Sequence, residues 1–118
     1  MSYTLWHYPN CSTCKKAIKW LKANDVDFTA IDLVKTPPSL EAIADLHSRS
    51  GLPVKRFFNT SGQSYRGGGF KEKLPTMSEA DCHAALAADG KLIKRPILEL
   101  GEKVLVGFKE AEYSEAIG

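Results

Sequence analysis

No run of about 18 consecutive apolar residues occurs in the chain, so a membrane-spanning helix is not expected. The opening MSYTLWHYP has neither a basic start nor a long apolar core, and a secretory signal peptide is not expected either. A dominant charge is also lacking: 16 Lys+Arg stand against 14 Asp+Glu, a formal net charge of +2. Residues 1–60 hold 8 basic and 5 acidic groups and residues 61–118 hold 8 and 9, so neither half forms a polycationic face. Direct binding to nucleic acid or to a membrane surface is therefore not expected. Cysteine is scarce and odd in number, at three, which cannot form a closed set of disulfides. Together with the missing leader this points to the cytosol, where cysteines serve reactivity or burial. Phosphate-loop chemistry is excluded as well, because Gly67-Gly68-Gly69 runs into Phe70-Lys71 without the required spacing. A phosphatase-type loop would need an arginine where Ala17 follows Cys11.

What is present suits one globular domain over 1–118, with 43% hydrophobic and 25% charged residues. Tyr3 to Tyr8 is an aromatic, β-branched run stopped by Pro9 and reads as a strand. From Cys11 to Ala23, Cys14, Ala17, Ile18 and Leu21 fall on one helical face and Lys15, Lys16, Lys19 and Lys22 on the other. Val26 to Leu33 alternates as a second strand, completing a right-handed βαβ unit. Ser39 caps a helix whose stripe is Leu40, Ile43, Ala44 and Leu46-His47, and Gly51 ends it. A short helical piece follows at Val54 to Phe58, and Asn59 to Phe70 is expected to be the longest loop, with the three glycines as a mobile stretch. Ser78 and Asp81 form a capping box for a helix reaching Ala88. Pro96 to Leu100, Gly101-Glu102 and Lys103 to Val106 read as a hairpin, and Glu110 to Ile117 as the last helix. The order β-α-β, helices, β-β-α is that of a thioredoxin-like α/β fold with a helical insertion at about 39–90.

The chemistry concentrates at Cys11-Ser12-Thr13-Cys14, a C-x-x-C at a strand-to-helix turn. A thiol at a helix N-terminus faces unpaired N–H groups and the positive end of the macrodipole, both favouring a thiolate. Its pKa in such places falls to about 3.5–7.5, against about 8.5 for free cysteine. Cys14 shares the helical face of Cys11 and could resolve a mixed disulfide; Lys15 and Lys16 would assist a little. Two blander readings stay open: a pair of small buried residues, or half of a metal site. Zinc usually needs four ligands, and the available second pair is drawn from Cys82-His83, His7 and His47; adjacent helical residues point about 100° apart, so no metal is expected. Cys82 fits a core position. His7 either supports the thiolate or faces away from it. Arg95-Pro96 opens the hairpin where a cis bond is invited, and beside Cys11 it would leave backbone groups free for an incoming partner. Arg95 would then bind the anion, unless it is a solvated surface charge.

Three segments resemble the arsenate reductase (ArsC)/Spx family of thioredoxin-like proteins: His7 to Cys14, Leu52 to Asn59, and Arg95-Pro96-Ile97 with Val104 to Phe108. The resemblance implies a mixed four-stranded sheet, Cys11 as nucleophile and Arg95 beside it, with His7 and Pro96 in support and Lys55 and Asn59 near the substrate. Glutaredoxin-linked members surround the oxyanion with three arginines; here Asn59 and Val106 take two of those places. With each charge-assisted contact worth about 1.5–3 kcal/mol, arsenate reduction is not expected as the main activity. The resemblance implies instead a thiol–disulfide redox protein with Cys14 as resolving cysteine and glutathione, thioredoxin or glutaredoxin as co-reductant, without a bound cofactor. A second implied reading is an Spx/MgsR-like redox regulator that binds the C-terminal domain of the RNA polymerase α subunit, although the chain ends at Gly118 without the longer tail of Spx. A third is a domain of this fold that has lost activity.

Overall fold

A computed structural model describes residues 3–117; Met1, Ser2 and Gly118, which figure in the readings of the two chain ends, lie outside the described residues. Strand β1 (Tyr3–His7) leads into helix α1 (Ser12–Ala23) and strand β2 (Phe28–Asp32). The middle is helical: α2 (Leu40–Ser50), α3 (Gln63–Gly67), α4 (Phe70–Lys73) and α5 (Glu79–Ala88), with 3₁₀ turns at Val54–Phe57, Leu74–Thr76 and Gly90–Leu92. Strands β3 (Ile97–Leu100) and β4 (Lys103–Val106) and helix α6 (Glu110–Ile117) close the chain. The sheet order is β2-β1-β3-β4, parallel between β1 and β2 and antiparallel elsewhere, which is the mixed four-stranded thioredoxin-like arrangement expected.

Alternation along the strands sends side chains to two cores. Leu5, Leu98 and Leu100 pack with Ala17 and Leu21 of α1 and Tyr113 of α6. Ile97, Val104 and Val106 meet Ile43 and Leu46 of α2 and Cys82 and Leu86 of α5 on the other face, where Trp6 also packs. On that second face Glu99 of β3 accepts from Trp6 Nε1 at 2.6 Å and pairs with Arg49 of α2. Arg49 also donates to the Gly101 carbonyl at 3.0 Å and is matched by Asp45 one turn earlier. This partly buried clasp ties the inserted half to the hairpin.

The helix ends follow local chemistry. Ser39 Oγ accepts from Ala42 N–H and Ser78 Oγ from Asp81 N–H, both at 3.1 Å, while Gly51 ends α2 in the left-handed region at φ 68°. Two expectations need correcting. Leu40 does not join the apolar stripe of α2: it is 51% exposed in the first turn, and Ile43 and Leu46 carry the burial. The segment 59–70 is not one long loop, since α3 occupies 63–67 and α4 begins at Phe70. Glycine content suggests mobility there, but the backbone is folded. Gly68 lies so close to the Phe70 ring that an added Cβ would sit 2.5 Å from it, and Gly69 adopts φ 68°. The glycines make a tight corner between two helical turns, over which Phe58, Tyr65 and Phe70 pack with centroids 5.7–6.4 Å apart.

Glycine positions give a stability contrast. A Cβ on Gly90 would stand 2.0 Å from the Leu33 carbonyl oxygen, a backbone atom that cannot rotate aside, whereas one on Gly67 meets nothing within 4 Å. Gly90→Ala is expected to cost about 2–3 kcal/mol, and Gly67→Ala to be neutral or stabilising by up to about 1 kcal/mol. Urea unfolding of the two variants checks this; equal midpoints would contradict the close approach.

Candidate active site at the first strand-to-helix turn

Cys11 is the N-cap of α1. Its backbone is extended at φ −92° and ψ 117°, its carbonyl accepts from Lys15 N–H at 3.1 Å, and its Sγ accepts from Cys14 N–H at 3.3 Å. The sulfur thus takes the place that a serine or aspartate oxygen takes at an ordinary cap. The turn is held from below by Cys11 N–H donating to the Tyr8 carbonyl at 3.0 Å. Cys11 is partly exposed, Cys14 is buried, and Cys82 lies buried in the opposite core, as its sequence context suggested.

Opposed influences act on the Cys11 thiol. Burial raises its pKa, but hydrogen bonds from the Cys14 thiol and backbone N–H, with the hydrogen bond and charge of Arg95, outweigh it and hold it below the ordinary value. The exposed Lys15 and Lys16 are not among these influences. Cys14 is pushed the other way, up to about 12, first by burial and then by its neighbour Cys11. A pair of thiols at one turn is thereby split into one that ionises readily and one that keeps its proton.

Arg95 reaches this turn from the start of the hairpin. Its guanidinium carbon stands 4.8 Å from the centre of the Tyr8 ring, and Nη1 donates to the Lys91 carbonyl at 3.4 Å. The Arg95–Pro96 peptide is cis, as the sequence invited. One part of that expectation is corrected: the Pro96 carbonyl is not free for a partner, because Gly107 N–H donates to it at 2.7 Å. Tyr8, inside the motif but without an assigned role, is what holds Arg95; an aromatic next to the C-x-x-C was the available signal.

His7 pairs with Asp32 across the β1–β2 register, and its Nδ1 is buried without a hydrogen-bond partner among the described residues. His7 acts electrostatically on Asp32, whose carboxyl is held low chiefly by backbone N–H groups of Lys35 and Val34. Lys55 and Asn59 lie on the inserted segment that runs beside the approach to Arg95: Lys94 N–H donates to the Phe57 carbonyl and Asn59 N–H to the Leu92 carbonyl, at 2.7 and 2.8 Å. Lys55, Arg56 and Lys94 line a cleft of about 330 Å³ with Pro53, Phe58 and Thr60. Lys94 was not singled out by the sequence. Val106, where an arginine would complete the family's anion set, is only 7% exposed and belongs to the core.

The ArsC family model matches residues 6–116. The chain is 50% identical over 115 residues to YusI of Bacillus subtilis (strain 168), described as an uncharacterized protein, covering 98% of each. It is 27% identical to the regulatory protein MgsR of the same organism, covering 92% of this chain and 85% of MgsR. The solved structure of arsenate reductase from Vibrio cholerae superimposes with a TM-score of 0.87 at 25% identity, covering 98% of this chain and 97% of that one.

The site geometry sets a pH expectation. Alkylation of Cys11 by iodoacetamide should titrate below the ordinary thiol range, since the thiolate is the nucleophile, while Cys14 stays protected until strongly alkaline pH. Arg95→Gln removes a charge and a hydrogen bond that favour the thiolate, so the Cys11 midpoint must move upward. Mass-spectrometric alkylation profiles check the direction; an unmoved midpoint would remove Arg95 from the site.

Proposed function

The chain belongs to the ArsC family, a family of thiol redox proteins, and from that membership we propose that it is a thiol–disulfide oxidoreductase with Cys11 as nucleophile and Cys14 as resolving cysteine. The observation that carries the reading is the Cys11 sulfur capping α1, partly exposed and beside Arg95, with a buried second thiol three residues on.

In the first step the Cys11 thiolate attacks one sulfur of an oxidised substrate or glutathione mixed disulfide. The substrate S–S bond breaks, the leaving sulfur takes the electron pair and a proton, and a new S–S bond joins Cys11 to the other half. Arg95 orients the anionic partner. Cys14 is held protonated by burial and by the neighbouring Cys11; converting Cys11 to a neutral mixed disulfide removes the second influence. The Cys14 thiol then loses its proton and attacks Cys11, expelling the reduced substrate and closing a Cys11–Cys14 disulfide. Two electrons have passed to the substrate. Glutathione, thioredoxin or glutaredoxin returns them in a cytosolic setting. His7 and Pro96 support the turn, and Lys55 and Asn59 border the approach.

Arsenate is a poor fit for this site. A tetrahedral oxyanion is gripped best by paired, planar guanidinium donors, and only Arg95 of the family's three is kept, with Asn59 and the buried Val106 in the other places. A second reading is supported by the similarity to the regulatory protein MgsR: the same disulfide would switch a surface that binds the C-terminal domain of the RNA polymerase α subunit.

The test is trapping. Cys14→Ser incubated with a glutathionylated peptide should accumulate a mixed disulfide on Cys11, and Cys11→Ser should accumulate none. Equal trapping by both would refute the assignment of the nucleophile. Redox-dependent capture of the polymerase domain without turnover of glutathione or thioredoxin would select the regulator.

A further inference from the structure

Away from the thiols, the contact between α2 and α5 brings together three metal-ligating side chains that the sequence keeps apart. His47 Nδ1 lies 2.9 Å from His83 Nε2 and 3.7 Å from Glu79 Oε1, and the ligand atoms of the three all fall within 4.8 Å of one another. Glu79 and His83 are one turn apart on α5 and therefore share a face. The His47 ring is set edge-on against Phe57, with centroids 5.7 Å apart and planes at 70°, which holds the ring plane. His47 is largely buried at 13% side-chain exposure, whereas Glu79 at 72% stands at the open side.

The geometry points to a binding site for a divalent first-row metal of the zinc class, formed by His47, His83 and Glu79, at the junction of the two longest inserted helices. Zinc–nitrogen bonds of about 2.0–2.1 Å at tetrahedral angles separate ligand atoms by about 3.3 Å, between the two distances seen here. Small rotations of side chains, without backbone movement, therefore bring the set onto an ion. Two imidazoles and one carboxylate suit borderline metals such as zinc, cobalt or nickel rather than calcium or magnesium, which prefer all-oxygen shells. Three protein ligands leave the fourth position to solvent on the exposed Glu79 side. A bound ion crosslinks α2 to α5 and stabilises the inserted half by mass action. The expectation of no metal concerned a second pair, from Cys82-His83, His7 and His47, to complete a site with Cys11 and Cys14; the fold instead joins His47 to His83, 36 positions away, and to Glu79. The site does not involve Cys11 or Cys14, and it stands or falls independently of the redox reading.

The test uses the untagged full chain with Cys11→Ser and Cys14→Ser, so that the reactive thiols cannot compete. Calorimetric titration with zinc chloride should give one ion per chain, and cobalt(II) a tetrahedral d–d spectrum without a sulfur-to-cobalt charge-transfer band. Ring ¹⁵N resonances of His47 and His83 should shift on zinc addition while those of His7 stay put. Adding His83→Ala or Glu79→Gln should weaken zinc at least tenfold and abolish its thermal stabilisation, a loss no smaller than that seen when outer-shell partners are removed. Glu79 is exposed, so Glu79→Gln keeps the test valid if the histidine variant does not fold. Absence of uptake, unchanged affinity in both variants, a sulfur band implicating Cys82, or a shift at His7 instead would each overturn the site.

Discussion

The hydrogen bond from the Cys14 N–H to the Cys11 sulfur is the constraint on which the rest of the site depends. A helix must satisfy its first N–H groups, and α1 gives one of them to a sulfur rather than to an oxygen. A neutral thiol is a weak acceptor and a thiolate a strong one, so the cap favours the ionised form of Cys11. The same bond keeps Cys14 one turn inside the helix, buried among apolar neighbours, where ionisation is costly. Burial thus pushes the Cys14 thiol up, while the donors of Cys14 and Arg95 draw the Cys11 thiol down.

Delivering Arg95 to that turn is the task of the inserted helices. The chain leaves β2, builds a second core around Phe57, Phe58 and Leu86, and returns along a short antiparallel pairing in which Phe58 faces Ile93. The return passes close enough to the end of β2 that only glycine fits at position 90, beside the Leu33 carbonyl. Arg95 emerges directly after that pairing and is steadied by the Tyr8 ring. The clasp of Arg49, Glu99 and Trp6 binds the same insertion to β1, which leads into the cysteine turn, and to β3, which follows Arg95.

Much of this was legible in the residues. The aromatic, β-branched run and the lysine stripe located β1 and α1, the serine caps located α2 and α5, and the Gly101-Glu102 turn located the hairpin. The C-x-x-C was visible because its spacing carries its chemistry. What escaped was tertiary. Leu40 looks apolar in the helical pattern, yet it sits in the first turn, where α2 has not reached the core. Gly67-Gly68-Gly69 looks mobile, yet Phe70 folds back over it. Arg56 and Lys94 come to one cleft only because the pairing of 57–59 with 92–94 closes it. Contacts between residues tens of positions apart have no period to betray them.

The cleft also bears on what the proposed exchange would accept. Its charges are Lys55, Arg56 and Lys94, so lysine outnumbers arginine there. Lysine is a flexible point charge, whereas arginine offers a planar fork that matches an oxyanion face. A cleft of this kind raises the local concentration of anionic partners without dictating their shape. A small rigid anion gains little from it, because much of its binding depends on matched donors. An anionic thiol compound or an acidic protein segment would gain more, since its charges can settle loosely among the lysines. With Asn59 and the core residue Val106 in two of the arginine places and two lysines in the nearby cleft, the residues suit the proposed exchange between sulfurs better than oxyanion reduction.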